Sequence, residues 1–393
     1  MTTSTARPTI PTARFGERLA SAREQTAVLG LDALLIGVGP DLHYLAGYDA
    51  MPLERLTMLV VPASGPITLV APRLEVAPAR GCPAVAGGFV EVATWEETED
   101  AVALVARLVA DALAKPVGSL ARLAVSDRLW AMHVLRLQAG IPSARLEGAG
   151  AVLRDLRMIK DADEIELLRL AAEAADRVVE QIAAGRLVGR TEADVAREVR
   201  ERLLAEGHDL AEFSIVASGP NSASPHHGAS DRVICAGEPI VLDIGGTLGG
   251  YGSDITRTLW VTGGDPAHGP DQAFRRLFAV LRGAQSEATH AVRPGVPCER
   301  IDDVAREIIA AEGYGPNFIH RTGHGIGLEG HEEPYLVAGN AEALRPGMAF
   351  SVEPGIYFEG RYGARLEDIV VCAEDGPIVL NRAPLELHIV DGL

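Results

Sequence analysis

The residues in this chain best suited to chemistry are carboxylates and histidines set among glycines. Val241-Leu242-Asp243-Ile244-Gly245-Gly246 is followed by Asp254 in Ser253-Asp254-Ile255-Thr256-Arg257-Thr258. Residues 239–243 are a short apolar run ending in a carboxylate, and 255–261 are a second β-prone run that begins just after another. Gly245, Gly246, Gly249, Gly250 and Gly252 lie between, which predicts a hairpin connection with the two acids side by side at the strand ends. An acid ending an apolar strand is costly without a positive partner. At ~4 Å and an effective dielectric of ~20, two like charges repel by ~4 kcal/mol. A divalent cation between them turns that repulsion into binding energy. The bland alternative is a surface hairpin carrying two solvated acids.

Other polar groups gather where turns are densest. His226 and His227 follow Pro225, and His324 sits in Arg321-Thr322-Gly323-His324-Gly325-Ile326-Gly327. His331, Glu332 and Glu333 come next, then Glu353 in Ser351-Val352-Glu353-Pro354-Gly355 and Glu367 in Arg365-Leu366-Glu367-Asp368. Glu353 and Glu367 each lie in a β-type run, where an ionised group needs a partner. One such glutamate reads as a sheet-edge residue. Two of them, with two aspartates and a glycine-flanked histidine, form a pattern beyond chance.

The elements that position these groups belong to the second half. Residues 154–163 are highly charged and precede a long helical pattern over 162–184, which puts a domain boundary near 155–160. Thr191, with Asp194 three residues on, reads as a capping box for a helix running to Ala205. Helices over 272–291 and 300–312, with short Gly-ended strands between and after them, make an α+β layout of helices over a curved sheet. In the first half, helical patterns at 15–29, 97–114 and 129–139 alternate with strand candidates at 33–38, 56–61, 67–71 and 123–126, which is an α/β domain. No phosphate loop or nucleophile elbow is present there. His43 reads as a structural or entrance residue, and Glu54 and Arg55 as either solvated or facing a neighbouring active site.

A chain of 393 residues accommodates two domains, and 47% hydrophobic with 23% charged residues is globular. The net charge of -18 argues against nucleic acid and anionic membrane as partners. Cys82, Cys235, Cys298 and Cys372 are scattered without a CxxC pair, which favours a reduced, cytoplasmic protein. The first fourteen residues lack the apolar core of a signal peptide, and no apolar run is long enough for a membrane span.

The segments PHHG, VLDIGG, SDITRT, GHGIG, HEEP, SVEPGIY and RLED resemble metallopeptidase family M24, the methionine aminopeptidase, aminopeptidase P and prolidase group, over roughly residues 160–390. The resemblance implies a C-terminal pita-bread catalytic domain, here 158–393, preceded by a smaller α/β creatinase-type domain, 14–157, and a flexible tail, 1–13. It implies five metal ligands: Asp243, Asp254, His324, Glu353 and Glu367. In the family the acids matching Asp254 and Glu367 bridge two metals. Four carboxylates and one imidazole are a hard, oxygen-rich set that suits manganese, with cobalt, iron or zinc as alternatives. Such a pair holds a bridging hydroxide that attacks the scissile carbonyl, and Glu353 moves its proton to the leaving nitrogen.

The same resemblance makes His226 and His331 the substrate- and oxyanion-binding histidines, with His227 as the alternative to His226. His320 reads as a packing or supporting residue. Arg365 lies two positions before Glu367, so strand alternation points it to the same face. There it either contacts the substrate carboxylate or balances the surrounding acids. Thr256 and Asp368 are placed to orient the ligands. The implied activity is an Xaa-Pro dipeptidase acting on a proline-containing dipeptide or short peptide. An Xaa-Pro aminopeptidase on longer peptides, a hydrolase of another small amide or ester, and a non-catalytic binding protein are the alternatives. The family also implies a homodimer.

Overall fold

The computed structural model describes residues 7–393, which divide into two units: residues 10–157, and residues 158–393 together with 7–9. In the first, the apolar runs become a six-stranded sheet. Ala33–Gly37 is buried at every position, pairing antiparallel with Met58–Pro62 and parallel with Arg122–Val125. Thr68–Pro72 and Glu91–Trp95 extend one side, and Arg145–Gly148 the other. Burial on both faces is why the central strands read as unbroken apolar runs rather than alternating ones. Val102, Val105, Val109 and Leu137 cluster with Leu35, Val60, Val70 and Leu123. The helix expected from residue 97 begins at Ala101, because Asp100 accepts from Val102 N and Ala103 N and caps it. Of the expected tail, residues 1–6 lie outside the described residues, Arg7 pairs with Asp209 at 2.5 Å, and a helix already starts at Thr12.

In the second unit the helix Ala162–Ala183 opens with a reciprocal capping box between Asp161 and Glu164. At the next helix, Glu192–Ala205, Thr191 accepts from Asp194 N. Thr191 is therefore a simple cap rather than the expected box, since Asp194 is too short to reach back as a glutamate does. A four-stranded sheet runs His388–Val390, Tyr251–Val261, Glu238–Leu248, Leu210–Ser218. A five-stranded sheet runs Glu332–Leu336, Gly323–Gly325, Ala349–Val352, Asp368–Ala373, Gly376–Val379. Val178, Ile182, Val195 and Val199 pack on Leu242, Ile244 and Ile255 of the first sheet. Phe274, Leu281, Ile301 and Ala305 of the helices Gln272–His290 and Cys298–Ala311 pack on Phe350, Val352 and Val370 of the second. This is the α+β layout, with helices covering two sheets.

The central hairpin departs from its sequence-based expectation. Its strands are eleven residues each and pair without interruption from Glu238↔Val261 to Leu248↔Tyr251. Only Gly249 and Gly250 form the turn, with φ of 60° and 84°, the left-handed pair that a tight two-residue hairpin requires. Gly245 is not a turn residue: a Cβ there would lie 2.3 Å from Ser253 O and 2.4 Å from the Phe213 ring, so glycine serves close approach within the sheet. Asp243 pairs with Thr256 and Asp254 with Gly245. The two acids are therefore mid-strand diagonal neighbours on one face, not strand-end neighbours.

Candidate metal centre

Five segments deliver the polar groups. The hairpin presents Asp243 and Asp254. Glu367 arrives through a bridge to the same hairpin, its N–H donating to Thr256 O at 3.1 Å. Glu353 directly follows the strand Ala349–Val352, and its N–H donates to Thr322 O at 2.8 Å. His324 is the middle residue of Gly323–Gly325. A Cβ on Gly323 would stand 1.9 Å from Ser351 O, and one on Gly325 2.2 Å from Glu333 O, so the strand carrying the imidazole is squeezed between its neighbours.

Oxygens of Asp243, Asp254 and Glu367 lie within 4.8 Å of one another, as do ligand atoms of His324, Glu353 and Glu367. Glu367 belongs to both groups. Asp254 also reaches the histidine side, in a third group with His324 and His331. His324 Nε2 is 3.2 Å from Glu353 Oε1 and 3.8 Å from Asp254 Oδ2. Asp243, Asp254, His324 and Glu367 are all buried.

The electrostatics follow from that burial. Desolvation first, then the Glu367 charge, pushes Asp254 well above the usual carboxylate range. Desolvation and the Glu353 charge do the same to Glu367. Asp243 is also raised by burial, against the opposing pull of Arg365. Burial raises Glu353 too, but the hydrogen bond and charge of His324 outweigh it and hold Glu353 at about 2. Burial and then the neighbouring His324 lower His331 to about 4.

The donor set fits divalent cations. Among the described residues Asp243 Oδ1 and Glu367 Oε1 are buried without a hydrogen-bond partner. Each is an acceptor that the protein leaves unpaired. His324 Nδ1 is 3.2 Å from Gly325 O, to which only an N–H can donate. With Nδ1 donating there, Nε2 is the nitrogen turned toward Glu353 and Asp254; without metal it donates to Glu353, and a bound cation would take the place of that proton. Lone pairs converging in a buried space call for a cation, and oxygen-rich ligands with one imidazole suit a hard divalent ion.

The other sequence-selected residues fall into distinct places. Arg365 is buried and donates to Asp243 Oδ2 at 2.5 Å, Thr256 Oγ1 at 3.1 Å, Tyr357 OH at 2.9 Å and Pro225 O at 3.2 Å. Thr256 Oγ1 in turn donates to Glu367 Oε2 at 2.6 Å. Asp368 points away from the cluster and accepts from Arg257 at 2.7 Å and Gln285 at 3.2 Å. His331 stacks on His324, ring centroids 3.6 Å apart. His226 is exposed, and its charge is felt at His320 and His331. His227 instead binds the buried Glu192 at 2.8 Å. His43 pairs with Asp49, and Arg55 with Glu54 and Glu97, all within their own unit.

Two supporting residues escaped the sequence reading. Tyr357 OH accepts from Arg365 and donates to His320 Nε2 at 2.9 Å, since His320 Nδ1 is occupied in donating to Arg321 O at 2.7 Å. Its signal was faint: Gly355 and Gly363 make room for the ring, and a Cβ on Gly355 would meet Tyr357 OH at 2.1 Å. Arg257, fully buried, donates to Glu367 O at 2.6 Å and to Thr256 O at 3.0 Å, which ties the strands carrying two of the acids.

Comparison with known proteins agrees with this layout. Residues 166–374 match the model of metallopeptidase family M24, and residues 18–159 match the creatinase/prolidase N-terminal domain. The chain is 46% identical over 377 residues to a probable dipeptidase PepE of Mycobacterium tuberculosis, covering 96% of each. Among solved structures, dipeptidase PepE from Mycobacterium ulcerans superimposes with a TM-score of 0.89 at 46% identity, covering 97% of this chain and 99% of that one. A prolidase from Thermococcus sibiricus gives 0.86 at 33% identity, covering 96% and 99%. The fold is thus a pita-bread catalytic domain preceded by a smaller α/β creatinase-type domain.

Proposed function

The chain belongs to metallopeptidase family M24 and is a metal-dependent hydrolase, and from that premise we propose that it hydrolyses the Xaa-Pro bond of dipeptides. The observation that carries the metal-dependent part is the pair of carboxylate oxygens, on Asp243 and Glu367, buried without partners among the described residues and close to His324 Nε2. The prolidase and dipeptidase names of its relatives support the substrate. Two divalent cations would be held by Asp243, Asp254, His324, Glu353 and Glu367, with Asp254 and Glu367 shared. Bound there, they would supply a hydroxide near neutral pH and polarise the scissile carbonyl. Manganese is proposed because the set is mostly carboxylate oxygen.

The chain's own groups divide the remaining work. Glu353, held ionised at the cluster edge, accepts the proton of the attacking water and delivers it to the proline nitrogen as the bond breaks. His331 accepts from Arg321 at Nδ1, which leaves its Nε2–H free to donate to the oxyanion that develops on the scissile carbonyl. His226, the exposed member of the pair, reaches the substrate, while His227 serves the framework. Arg365 spends its donors inside the site, so its part is to hold Asp243 and, through Thr256, Glu367 in place. The four free cysteines support a reducing, cytoplasmic setting, and the family suggests a homodimer, which a solution mass would test.

The direct test is a panel of Xaa-Pro dipeptides and proline-second tripeptides, assayed on metal-stripped protein after each metal is restored. Fast, manganese-dependent turnover of the dipeptides with little on the tripeptides is expected. Turnover confined to longer peptides, or absent with every metal, overturns the reading.

A further inference from the structure

The cluster presents four carboxylates to any substrate, on a chain whose net charge is -18. A dipeptide carries its own carboxylate, separated from the scissile carbonyl only by the proline nitrogen and Cα. That anion needs a cation close to the reacting centre, and Arg365 is not available. It is buried, and its donors go to Asp243, Thr256, Tyr357 and Pro225 O.

Arg321 is placed differently. It is partly exposed and sits over the Tyr335 ring, its guanidinium carbon 4.2 Å from the centroid. One donor, Nη2, is used on His331 Nδ1 at 3.2 Å. His331 stacks directly on His324 at 3.6 Å, so a single imidazole separates Arg321 from the metal-ligand set. Among the described residues no carboxylate pairs with Arg321, although its chain carries 54 acidic side chains. A guanidinium has five N–H donors in a rigid plane, and the contact with the Tyr335 ring holds the group beside His331, which takes one of them. The result is a preoriented fork, next to the group that meets the oxyanion, with donors to spare.

We infer that Arg321, braced by Tyr335, binds the C-terminal carboxylate of the dipeptide and so sets the substrate length. This rests on the dipeptidase reading above and adds to it a residue that separates dipeptides from longer peptides. In a longer peptide the same position holds an uncharged amide, and the charge-assisted contact is lost.

The test compares Ala-Pro with its C-terminal amide on the manganese-loaded enzyme, for wild type, Arg321→Met and Arg321→Lys. Wild type should favour the free acid. Arg321→Met should raise KM for the acid about 10- to 100-fold more than KM for the amide, any loss from freeing His331 falling on both substrates alike, with metal content unchanged, and Arg321→Lys should recover part of the acid-specific loss. Equal loss on acid and amide would mean that Arg321 acts only by steadying His331, and would overturn the inference. So would an undiminished preference for the acid in Arg321→Met. Both leave dipeptide hydrolysis itself intact. Wild-type protein inert towards acid and amide alike would instead bring down the dipeptidase reading, and this inference with it.

Discussion

Glu192 and Glu367 are both buried glutamates of the second unit, yet their oxygens keep opposite company. Glu192 accepts from Ser218 N and Oγ, Asn221 Nδ2, His227 Nε2, and Ser230 N and Oγ. Burial alone would raise it, but these donors outweigh burial and hold it at about 2. Glu367 accepts from Thr256 Oγ1 on one oxygen, its other oxygen has no partner among the described residues, and burial beside Glu353 drives it up. A buried acid ringed by the protein's own donors is a finished part of the framework. A buried acid left short of donors, with other acids at its side, is built for a charge that comes from outside.

The contrast can be broken most sharply at Glu367. Glu367→Ala should cut turnover roughly 10³-fold or more and lower metal content, while the metal-free variant unfolds no earlier than metal-free wild type. A variant that stays active and metal-loaded would refute the assignment. Glu192→Gln should do the reverse, keeping metal content but losing stability. Its depressed pKa gives this a pH signature. The stability Glu192 contributes is fully present above its unfolded value of 4.5 and is lost as pH falls toward about 2. The loss amounts to roughly 3 kcal/mol. Urea midpoints followed from pH 6 to pH 2.5 should therefore converge for wild type and Glu192→Gln, and parallel curves would count against the framework role. The smallest effect sharpens the comparison from the metal side. Manganese at about 100 times its Kd should stabilise wild type by about 2.7 kcal/mol. Glu192→Gln should gain the same increment, Glu367→Ala should gain much less, and melting with and without chelator reads the difference.

Much of this was legible in the chain itself, for a definable reason. Asp243, Asp254, Glu353 and Glu367 each interrupt a β-prone run with a charge, and such an interruption needs a partner wherever the run is buried. The alternating runs of the first half likewise announce a sheet with helices. What stayed hidden depends on distant company. Glu192 reads as an ordinary acid in the first turn of a helix, because its donors come from residues 218–230. Tyr357 reads as a core aromatic, since only the pairing of Gly355–Phe358 with Tyr362–Arg365 and the approach of His320 bring its hydroxyl between Arg365 and His320. The glycines at 245 and 246 read as a turn because sequence does not reveal how closely Ser253, Phe213 and Leu210 approach them.

The uninterrupted pairing of the hairpin around Gly249 and Gly250 carries one more consequence. Side chains alternate between faces along a strand, so adding or deleting one residue on either arm, between the turn and its acid, would rotate that acid to the opposite face of the sheet. The hydrophobic core would lose its alignment in the same step. Over evolutionary time this loop should therefore resist changes in length while other surface connections drift. A lineage that shed catalysis could lose these acids by simple substitution long before it altered the spacing between them.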